Sequence, residues 1–359
     1  MKKTHLLFYF LLILITFQVN SQTNKFKVMT WNILHGANDI VNGKENAIKI
    51  IKEIDPDVLL MIETYGSGKS IASSLGYNFH LIAAKGTPLD DKNTNLSIYS
   101  KYPFGERIDT KYPFYLGGIE IFIDNQKIRF FCNWFHYLPW NNQPEKMGKS
   151  TEELLLWEKT GYKYDMIQNV LPYLKKYVAQ TDSIPMIFAG DMNSLSHKDW
   201  DNRTKTIHNG LVVPWYSTKV LDELGLIDSY REINPNPISH PGITWDNKKR
   251  ENDSHRIDYI FYKGNSLEPT SSESYMSFFN EPLLINDKEI IYPSDHGFVV
   301  TSFDLNKFEN ISNGTKELLL KDIKKEGKYS GVYKRLSKTQ KFISDLLDDN
   351  QETKQKLLK

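Results

Sequence analysis

Residues 184–194 read IPMIFAGDMNS, an apolar run that leads directly into Gly-Asp-Met-Asn. The run from Ile184 to Ala189 has the length and composition of a buried β-strand. Asp191 and Asn193 follow at once, so the strand would deliver two polar side chains to one end of a sheet. The same pair is also typical of an ordinary Asx-turn. Whether the pair belongs to a functional site therefore depends on whether other strands end in polar groups of the same kind.

On both sides of this stretch, short apolar runs alternate with helical patterns. Further strands are indicated at residues 26–34, 57–63, 96–99, 119–123, 127–136, 256–262 and 298–305. Helical spacing covers Glu45 to Ile54, which Asp55-Pro56 ends, and Tyr164 to Val178, where Pro172 should kink the helix or mark its start. Asn125-Gln126 is expected to be a hairpin turn. This organisation favours an α/β or α+β sandwich of two sheets covered by helices.

The two ends of the chain differ from the middle. Residues 1–21 combine a basic start with an apolar run that is too short for a comfortable membrane span. We expect them to be a secretory signal peptide that sends the protein to the periplasm or the extracellular space, with an uncleaved anchor as the alternative. Residues 22–305 should form the folded domain. Residues 306–359 are rich in Lys, Glu and Asp, so we expect a polar tail that is helical or partly disordered.

Charge and cysteine content narrow the function classes. The net charge of +1 becomes −1 without residues 1–21, because Lys2 and Lys3 leave and no acid goes with them. A near-neutral chain lacks the broadly basic surface of proteins that cling to nucleic acid, although a local cationic groove is compatible with it. The single cysteine, Cys132, cannot form an internal disulfide and lies in an apolar run. We expect it to be a buried small hydrophobe.

Five clusters of acids, amides and histidines coincide with the ends or interiors of the expected strands. They are Thr30–Gly36 with Asn32, Leu60–Thr64 with Glu63, Phe188–Ser194 with Asp191 and Asn193, Arg256–Phe261 with Asp258, and Tyr292–Gly297 with Asp295 and His296. A buried acid costs several kcal/mol unless it has a counter-charge, hydrogen bonds or a metal. One shared cation would explain the whole set. Oxygen ligands favour Mg²⁺, with Mn²⁺ or Ca²⁺ as alternatives, over zinc.

Each cluster taken alone also has a purely structural explanation. The alternatives are a turn residue at Asn32, a cap by Glu63 of the helix that follows Gly66-Ser67-Gly68, an ion pair of Asp258 with Arg256 or Lys263, and a surface loop at Asp295-His296. None of these explanations accounts for the co-occurrence of all five clusters in this order.

In this order the clusters resemble the successive signatures of the endonuclease/exonuclease/phosphatase superfamily, which includes deoxyribonuclease I, exonuclease III and the bacterial sphingomyelinases. Pro241 to Trp245 is similar to the usual lead-in to Arg256, and Asn95 to Lys101 resembles a strand that often ends in Ser-Arg. The resemblance spans roughly residues 26–305, so residues 22–305 would be the catalytic domain. It implies a four-layer αββα sandwich, in which two mixed sheets lie face to face, helices cover them, and the site lies at one end.

One expected strand departs from the family's pattern. The family commonly has Asn-Thr-His-Leu, whereas this chain reads CNWFHYL from Cys132 to Leu138 and has Trp134 two residues before His136. Because strand side chains alternate, Asn133 and His136 would face opposite sides unless a bulge intervenes. We therefore retain His136 as a phosphate contact and assign no role to Asn133.

The resemblance also implies roles in an in-line attack of water on phosphorus. The expected metal ligands are Glu63, Asn32 and Asp295; Asp191 would activate the water; His296, oriented by Asp258, would stabilise the phosphoryl oxygens; and Asn193, His136 and Asn95 would contact the phosphate. The expected activity is therefore metal-dependent phosphoester hydrolysis.

The sequence leaves the substrate open, because one fold serves many substrates. An exported nuclease is the leading hypothesis. A sphingomyelinase or phospholipase C-like enzyme, a sugar- or inositol-phosphate phosphatase, and a non-catalytic binding protein are the alternatives. The segment from Trp134 to Lys163 distinguishes this chain, and its aromatic residues could stack on a base, enter a lipid interface or pack within the loop; they are Tyr137, Trp140, Trp157 and Tyr162. We expect a monomer with no stable membrane span after signal cleavage.

Overall fold

The computed structural model describes residues 24–245 and 254–306. The expected signal peptide (1–21) and the expected tail beyond residue 306 lie outside the described residues, so both remain expectations. The strands are β1 (Asn24–Asn32), β2 (Val58–Ile62), β3 (Asn78–Leu81), β4 (Ser97–Ser100), β5 (Phe104–Ile108), β6 (Leu116–Ile123), β7 (Gln126–Trp134), β8 (Met186–Asp191), β9 (Ile227–Asp228), β10 (Asp258–Lys263), β11 (Leu267–Tyr275), β12 (Pro282–Ile285), β13 (Lys288–Ile291) and β14 (Phe298–Leu305).

Helices alternate with these strands. They are α1 (Gly43–Ile54), α2 (Gly68–Leu75), α3 (Thr151–Glu158), α4 (Tyr162–Val178), α5 (Tyr216–Glu223) and α6 (Ser229–Ile233), besides a helical turn at Leu34–Ala37 and a 3₁₀ turn at Pro144–Lys146. In the described part of the chain, none of the helices combines the length and the apolar character that crossing a membrane requires.

Two mixed six-stranded sheets form the centre of the molecule. The strand order is β11-β14-β1-β2-β4-β3 in the first sheet and β5-β6-β7-β8-β10-β9 in the second. Each sheet contains one parallel pair, β1 with β2 and β7 with β8. The remaining pairs in both sheets are antiparallel.

Three apolar clusters show how the layers stack. The central cluster joins inward residues of both sheets, such as Val28 and Leu60 from the first and Phe130 and Ile187 from the second. A second cluster packs α1 and α2 on the outer face of the first sheet, and a third packs α4 and α5 on the second sheet. Full burial of one such side chain stabilises the fold by about 1.5–3 kcal/mol. The order helix, sheet, sheet, helix confirms the expected α+β sandwich.

The observed elements confirm some local expectations and correct others. The apolar run at 57–63 contains β2, and the run at 184–189 overlaps β8, which begins two residues later and extends to Asp191; both strands are buried along their whole length. The hairpin turn was placed one residue too late, since Asp124 and Asn125 occupy it with φ of 47° and 65°, as a two-residue type I′ turn requires. Pro172 lies inside α4 and does not mark its start. Cys132 is fully buried, as expected.

Candidate active site

The expected site residues converge because of strand direction. Asn32 is the last residue of β1, and Glu63 directly follows β2, its parallel neighbour, so both lie at the same end of the first sheet. In the second sheet Asp191 ends β8 and Asp258 begins β10, and the two are direct partners in the antiparallel pair. The Asn32 amide joins the sheets, since Nδ2 donates to Glu63 Oε1 at 3.1 Å and to Asp191 Oδ2 at 3.2 Å.

Asp191, Asp258 and His296 form a buried group at this end of the sandwich. His296 Nδ1 lies 3.0 Å from Asp258 Oδ2, and His296 Nε2 lies 3.8 Å from Asp191 Oδ2. One potential ligand atom from each of the three residues falls within 4.8 Å of the others. Among the described residues, these three acids and histidines have the spacing that a bound metal ion requires. Glu63 and Asp295 do not belong to the group. We call it the buried triad.

The electrostatics of the buried triad follow from burial and excess carboxylate. Burial by itself would lower the pKa of His296, but the carboxylates of Asp258 and Asp191 outweigh it and raise that pKa to about 10. Burial also raises the pKa of Asp191, with a further contribution from Asp258, although His296 acts in the opposite direction. Two acids therefore share one histidine in a water-poor environment, and an added cation would be stabilised beside them.

Asn193 holds Asp191 in place. Its backbone N–H donates to Asp191 Oδ1 at 2.8 Å, which is the hydrogen bond of an Asx-turn, and its Nδ2 donates to Asp191 Oδ2 and to Phe135 O, each at 2.9 Å. The Asx-turn alternative is thus correct locally and is compatible with a site. Because both amide donations stay within the protein, the structure places Asn193 as a support for Asp191, and the expected phosphate contact stays a prediction.

An unusual backbone conformation positions Glu63. It has φ of 58°, and its carbonyl accepts from Gly36 N–H at 2.7 Å. Its Oε2 accepts from His35 N–H at 3.3 Å, and its own N–H donates to Asn95 Oδ1 at 2.9 Å. The helix α2 begins at Gly68 with Ser67 as its N-cap residue, so the alternative that Glu63 caps it is wrong. Glu63 instead faces Asn32.

Asn95 lies behind Glu63. It is fully buried, and beyond the bond to Glu63 its Nδ2 donates to Phe114 O at 3.0 Å. These contacts place it as a positioning residue for the Glu63 backbone. Its expected phosphate contact stays a prediction.

Three further structural alternatives are wrong. Asn32 lies inside the β1–β2 pairing and is not a turn residue. Asp258 does not pair with Arg256, which binds Asp199 and Asp228, or with Lys263, whose Nζ donates to Gly225 O. The Ser294-Asp295-His296 segment is buried and is not a surface loop; Ser294 Oγ donates to Asn32 O at 2.6 Å and accepts from His296 N–H at 3.0 Å.

His136 lies next to the triad on an aromatic surface. Its ring stacks on Tyr137 at 4.5 Å, and the rings of Tyr162 and Trp134 lie 5.1 and 5.8 Å away. Phe114 extends the set by a T-shaped contact with Trp134. We call these five residues the aromatic surface. Trp134 is the strand partner of Asp191, so this surface begins directly beside the buried triad.

The structure separates the aromatic residues of the 134–163 segment into two groups. Tyr137 and Tyr162 are 51% and 64% exposed. Trp140 and Trp157 instead pack against the small core around Trp200 and Trp215. Of these four residues, only the first pair is therefore available to a substrate, and packing against that core explains the second pair.

Two residues close to the site were given no role by sequence reasoning. Lys163 is buried, and its Nζ donates to the backbone oxygen of Asn193 at 2.6 Å. The ring of Trp245 lies 4.7 Å from the ring of His296. A lysine in a helix gives no sequence signal for such a position, whereas Trp245 closes the Pro241–Trp245 lead-in and could have been identified from it.

The donor set fits a divalent cation. Oxygen donors from Glu63, Asp191 and Asp258 lie around one amide and one histidine, as hard cations prefer. Within the described residues, Asp258 Oδ1 is buried without a hydrogen-bond partner, which is costly for a carboxylate unless a cation lies beside it. This arrangement can hold an ion and position water beside a phosphoryl group.

Comparisons with known proteins found one matching family model and one similar curated protein. A family model described as the Endonuclease/Exonuclease/phosphatase family matches residues 29–296. An uncharacterized protein of Caenorhabditis elegans, F14F9.5, is 28% identical over 305 residues, which are 79% of this chain and 92% of that protein.

Similar solved structures include TDP2 of D. rerio in complex with single-strand DNA product, at 16% identity and a TM-score of 0.49, covering 78% of this chain and 99% of that one. Another is an AP endonuclease from Archaeoglobus fulgidus, at 20% identity and a TM-score of 0.48, covering 77% and 98%.

Proposed function

The chain belongs to the endonuclease/exonuclease/phosphatase family and is a phosphoester hydrolase, and on this premise we propose that it cleaves phosphodiester bonds of nucleic acid outside the cytoplasm. The observation that carries the proposal is the buried triad, Asp191, Asp258 and His296, at the end of the sandwich where Asn32 joins it to Glu63. The aromatic surface beside it supports a substrate with stackable bases.

The gap between Asp191 and His296 suits the attacking water. The 3.8 Å separation of Asp191 Oδ2 and His296 Nε2 is too long for a direct hydrogen bond, but one water molecule can contact both atoms. Asp191 would orient this water and accept its proton as the oxygen attacks phosphorus. The two bonds from Asn193 to the Asp191 carboxylate fix the direction of attack.

His296 would stabilise the charge that develops on the phosphoryl oxygens. Asp258 binds Nδ1, which keeps the imidazole oriented and leaves Nε2 as the nitrogen that faces the substrate. We propose that Glu63 and Asn32, with Asp295 nearby, would hold a divalent ion, with Mg²⁺ as the leading choice. When bound, the ion would neutralise a non-bridging phosphate oxygen. His136 would contact the phosphate from the side of the aromatic surface.

The aromatic surface favours nucleic acid as the substrate. Its rings lie in contact with one another from Phe114 to Tyr162, and two of them are more than half exposed. Stacking of a base on such a ring contributes about 1–3 kcal/mol and does not depend on sequence. A near-neutral enzyme that lacks a broadly basic surface would gain affinity for single strands in this way.

Export is a separate part of the proposal. It rests on the basic start and the short apolar run of residues 1–21. A reporter enzyme fused behind residue 21 should be active outside the cytoplasm and lose the first 21 residues. A fusion that stays in the membrane uncleaved would instead support the N-terminal anchor.

The test of the activity is a parallel assay of the purified mature chain. Single-stranded oligonucleotides, sphingomyelin micelles and phosphorylated sugars are supplied with Mg²⁺ or with a chelator. We expect Mg²⁺-dependent cleavage of the oligonucleotide, and we expect Tyr162→Ala to raise its KM roughly tenfold through loss of one stacking contact. Ile238→Ala, which changes an exposed apolar residue elsewhere, is the matched control and should leave KM unchanged.

The other outcomes discriminate between the alternatives. Preferred cleavage of sphingomyelin would replace the nuclease hypothesis by a phospholipase C-like enzyme, in which Tyr137 and Tyr162 enter the lipid interface. Preferred release of phosphate from sugars would identify a phosphatase. Chelator-insensitive hydrolysis would contradict the proposed role of the ion.

A further inference from the structure

The lead-in at residues 241–245 lies against the buried triad, and one of its residues contacts the triad's backbone from two sides. This residue, Thr244, is fully buried, although threonine is mostly found at protein surfaces. Its N–H donates to His255 O at 2.9 Å, and Trp245 N–H donates to the same oxygen at 2.9 Å. These bonds hold the lead-in beside the segment that enters β10.

The Thr244 side chain binds the backbone at the start of β10. Its Oγ1 accepts from the N–H groups of Ile257 and Asp258, each at 3.1 Å. Both donors belong to fully buried residues, where an N–H group without an acceptor is costly. The hydroxyl oxygen of Thr244 therefore fixes the backbone from which the Asp258 carboxylate extends.

The Thr244 backbone binds the segment that carries His296. Its carbonyl oxygen accepts from the N–H of Gly297, the next residue, at 2.8 Å. A Cβ on Gly297 would lie 3.1 Å from Thr244 Cα and 2.6 Å from Tyr275 O, so these segments pack too closely to admit a side chain there. One residue thus contacts both segments whose side chains meet as the Asp258–His296 pair.

The Asp258 carboxylate depends on this support because its own side-chain bonds are few. Its Oδ2 lies 3.0 Å from His296 Nδ1, whereas Oδ1 is buried without a hydrogen-bond partner among the described residues. A single hydrogen bond leaves a carboxylate free to turn about χ2, for which aspartate has no sharp preference. The geometry of the pair is therefore set by the two backbone segments that Thr244 joins. A shift of about 1 Å in a catalytic group can cost roughly 100-fold in rate.

We propose that Thr244 is a positioning residue that sets the geometry of the Asp258–His296 pair, an inference that rests on the proposed function. Its hydroxyl oxygen holds Asp258 and its carbonyl oxygen holds the chain beside His296, so that Nε2 of the imidazole faces the phosphoryl group. Loss of the hydroxyl should lower turnover through His296. Binding of ion and substrate should persist, because Glu63 and the aromatic surface are held by other contacts.

The test removes the hydroxyl of Thr244 and keeps the shape of its side chain. In the oligonucleotide assay with Mg²⁺, Thr244→Val should lower kcat roughly 10–100-fold, while KM and the Mg²⁺ concentration for half-maximal activity should change by less than about threefold. Thr244→Ser keeps the acceptor and should recover most of kcat. Should Thr244→Val not fold, Thr244→Cys, whose sulfur is a weak acceptor, replaces it in the same comparison and should show a smaller loss.

A second background distinguishes positioning from a general structural role. In Asp258→Asn the pair is already impaired, so adding Thr244→Val should lower kcat by less than about threefold further. Thr301→Val is the matched control. Thr301 is also fully buried, and its Oγ1 lies 2.8 Å from Ser229 Oγ and from Ser272 Oγ, but it lies opposite Val28 in the middle of β1. This control should lower the urea midpoint comparably and keep the wild-type kcat.

The outcomes separate this inference from the proposed function. Unchanged kcat in Thr244→Val, or an equally large further loss in the Asp258→Asn background, would overturn the role of Thr244 while the proposed function stands. A loss of kcat in Thr301→Val as large as that in Thr244→Val would overturn it too. Absence of metal-dependent hydrolysis in the wild type would instead reject the proposed function, and this inference with it.

Discussion

The two halves of the site are positioned by different means. The buried triad depends on regular strands, since Asp191 and Asp258 are direct partners of β8 and β10 and His296 comes just before β14. The other half is made of Asn32, Glu63 and residues 34–37, all four of which have the positive φ of the left-handed conformation, and it depends on irregular backbone beyond the ends of β1 and β2. Each non-glycine residue in that conformation costs roughly 1–2 kcal/mol. We call this second group the turn half.

Because of this difference, substitutions in the two halves should affect different properties, namely the stability of the fold and the binding of ion and substrate. The triad is part of the sandwich, so changes that disturb its backbone should affect the whole fold. In the turn half the His35 side chain is 62% exposed and Glu63 is half-buried, although Asn32, Leu34 and Ala37 are buried. Glu63 is held by a few hydrogen bonds, so changes at its side chain should alter the binding of ion and substrate more than global stability. Substitutions in each half test whether the two halves behave in this way.

The largest effect is expected from the acids themselves. Asp191→Asn removes the group that accepts the proton of the water, so kcat should fall by about 10³-fold or more at every Mg²⁺ concentration. Glu63→Gln should also abolish turnover at ordinary Mg²⁺, but part of the activity should return as Mg²⁺ is raised, because Glu63 binds the ion. Asp182→Asn, at an exposed position, is the control. Recovery of Asp191→Asn at high Mg²⁺ would reverse the assignment of the two acids.

A second effect is expected from one glycine in each half. A Cβ on Gly190 would lie 1.9 Å from Asn133 O, a backbone atom of the neighbouring strand, so Gly190→Ala should destabilise the fold by about 3 kcal/mol. A Cβ on Gly36 would meet Ser67 Oγ at 2.6 Å and Thr64 O at 2.9 Å. Gly36→Ala should cost about 1–2 kcal/mol in stability and weaken Mg²⁺ binding more than that loss implies.

Urea unfolding and Mg²⁺ titration of both variants measure these effects. Gly210→Ala is the matched control, since Gly210 has φ of 85° but open space around its Cβ, and it reports the cost of backbone conformation alone. Equal losses of stability in Gly190→Ala and Gly36→Ala would contradict the distinction between the two halves.

The buried triad was also more predictable from the sequence than the turn half. β8 is buried along its whole length, so a continuous apolar run identified it, and Asp191 at its end was placed correctly. The antiparallel register that brings Asp258 opposite Asp191 could not be predicted, because pairing depends on residues distant in the chain.

The turn half was predicted only as a set of residue types. Nothing in Leu34 or Ala37 signals a left-handed conformation, since neither residue favours it. The phosphate contacts expected of Asn95 and Asn193 stay predictions. The structure adds that their amide groups bind Glu63 and Asp191, a support that depends on local backbone geometry. Sequence reasoning found which residues gather at the site but not which of them support the others.

A pH-dependent effect on stability is expected from the buried triad. The pKa of His296 is raised from 6.5 to about 10, so the folded protein binds more protons than the unfolded chain between these values. This contribution is complete below pH 6.5 and is lost as the pH rises towards 10. From pH 6.5 to 8 the free energy of unfolding should fall by roughly 2 kcal/mol, and the raised pKa of Asp191 acts in the same direction.

Urea unfolding in the presence of a chelator measures this slope. His296→Asn keeps a donor for Asp258 but does not titrate, so its stability should change less over the same interval. The lowered pKa values of His80 and His208 act below pH 6.5 and do not interfere. A wild type whose stability rises between pH 6.5 and 8 would contradict the raised pKa of His296.

The smallest effect is expected at Lys163, which supports the triad from outside. Burial lowers its pKa to about 8, although Glu158 and Asp191 act in the opposite direction. Its buried ammonium is thus a cost to the fold at pH 7, so Lys163→Met should leave the free energy of unfolding within about 1 kcal/mol of wild type. Activity should fall roughly tenfold, because the Asn193 backbone oxygen loses its donor and the turn that holds Asp191 loosens. Lys159→Met, an exposed neighbour in sequence, is the control.

The pH dependence of stability distinguishes a charged support by Lys163 from simple packing of its side chain. Between pH 8 and 10.5 the unfolded chain binds the Lys163 proton and the folded protein does not, so this group makes wild-type stability rise with pH. The difference in stability between wild type and Lys163→Met should therefore shift towards the wild type across that interval. If the variant lost stability equally at all pH values while kcat stayed unchanged, Lys163 would be a packing residue of the loop and not a support for the Asp191 carboxylate.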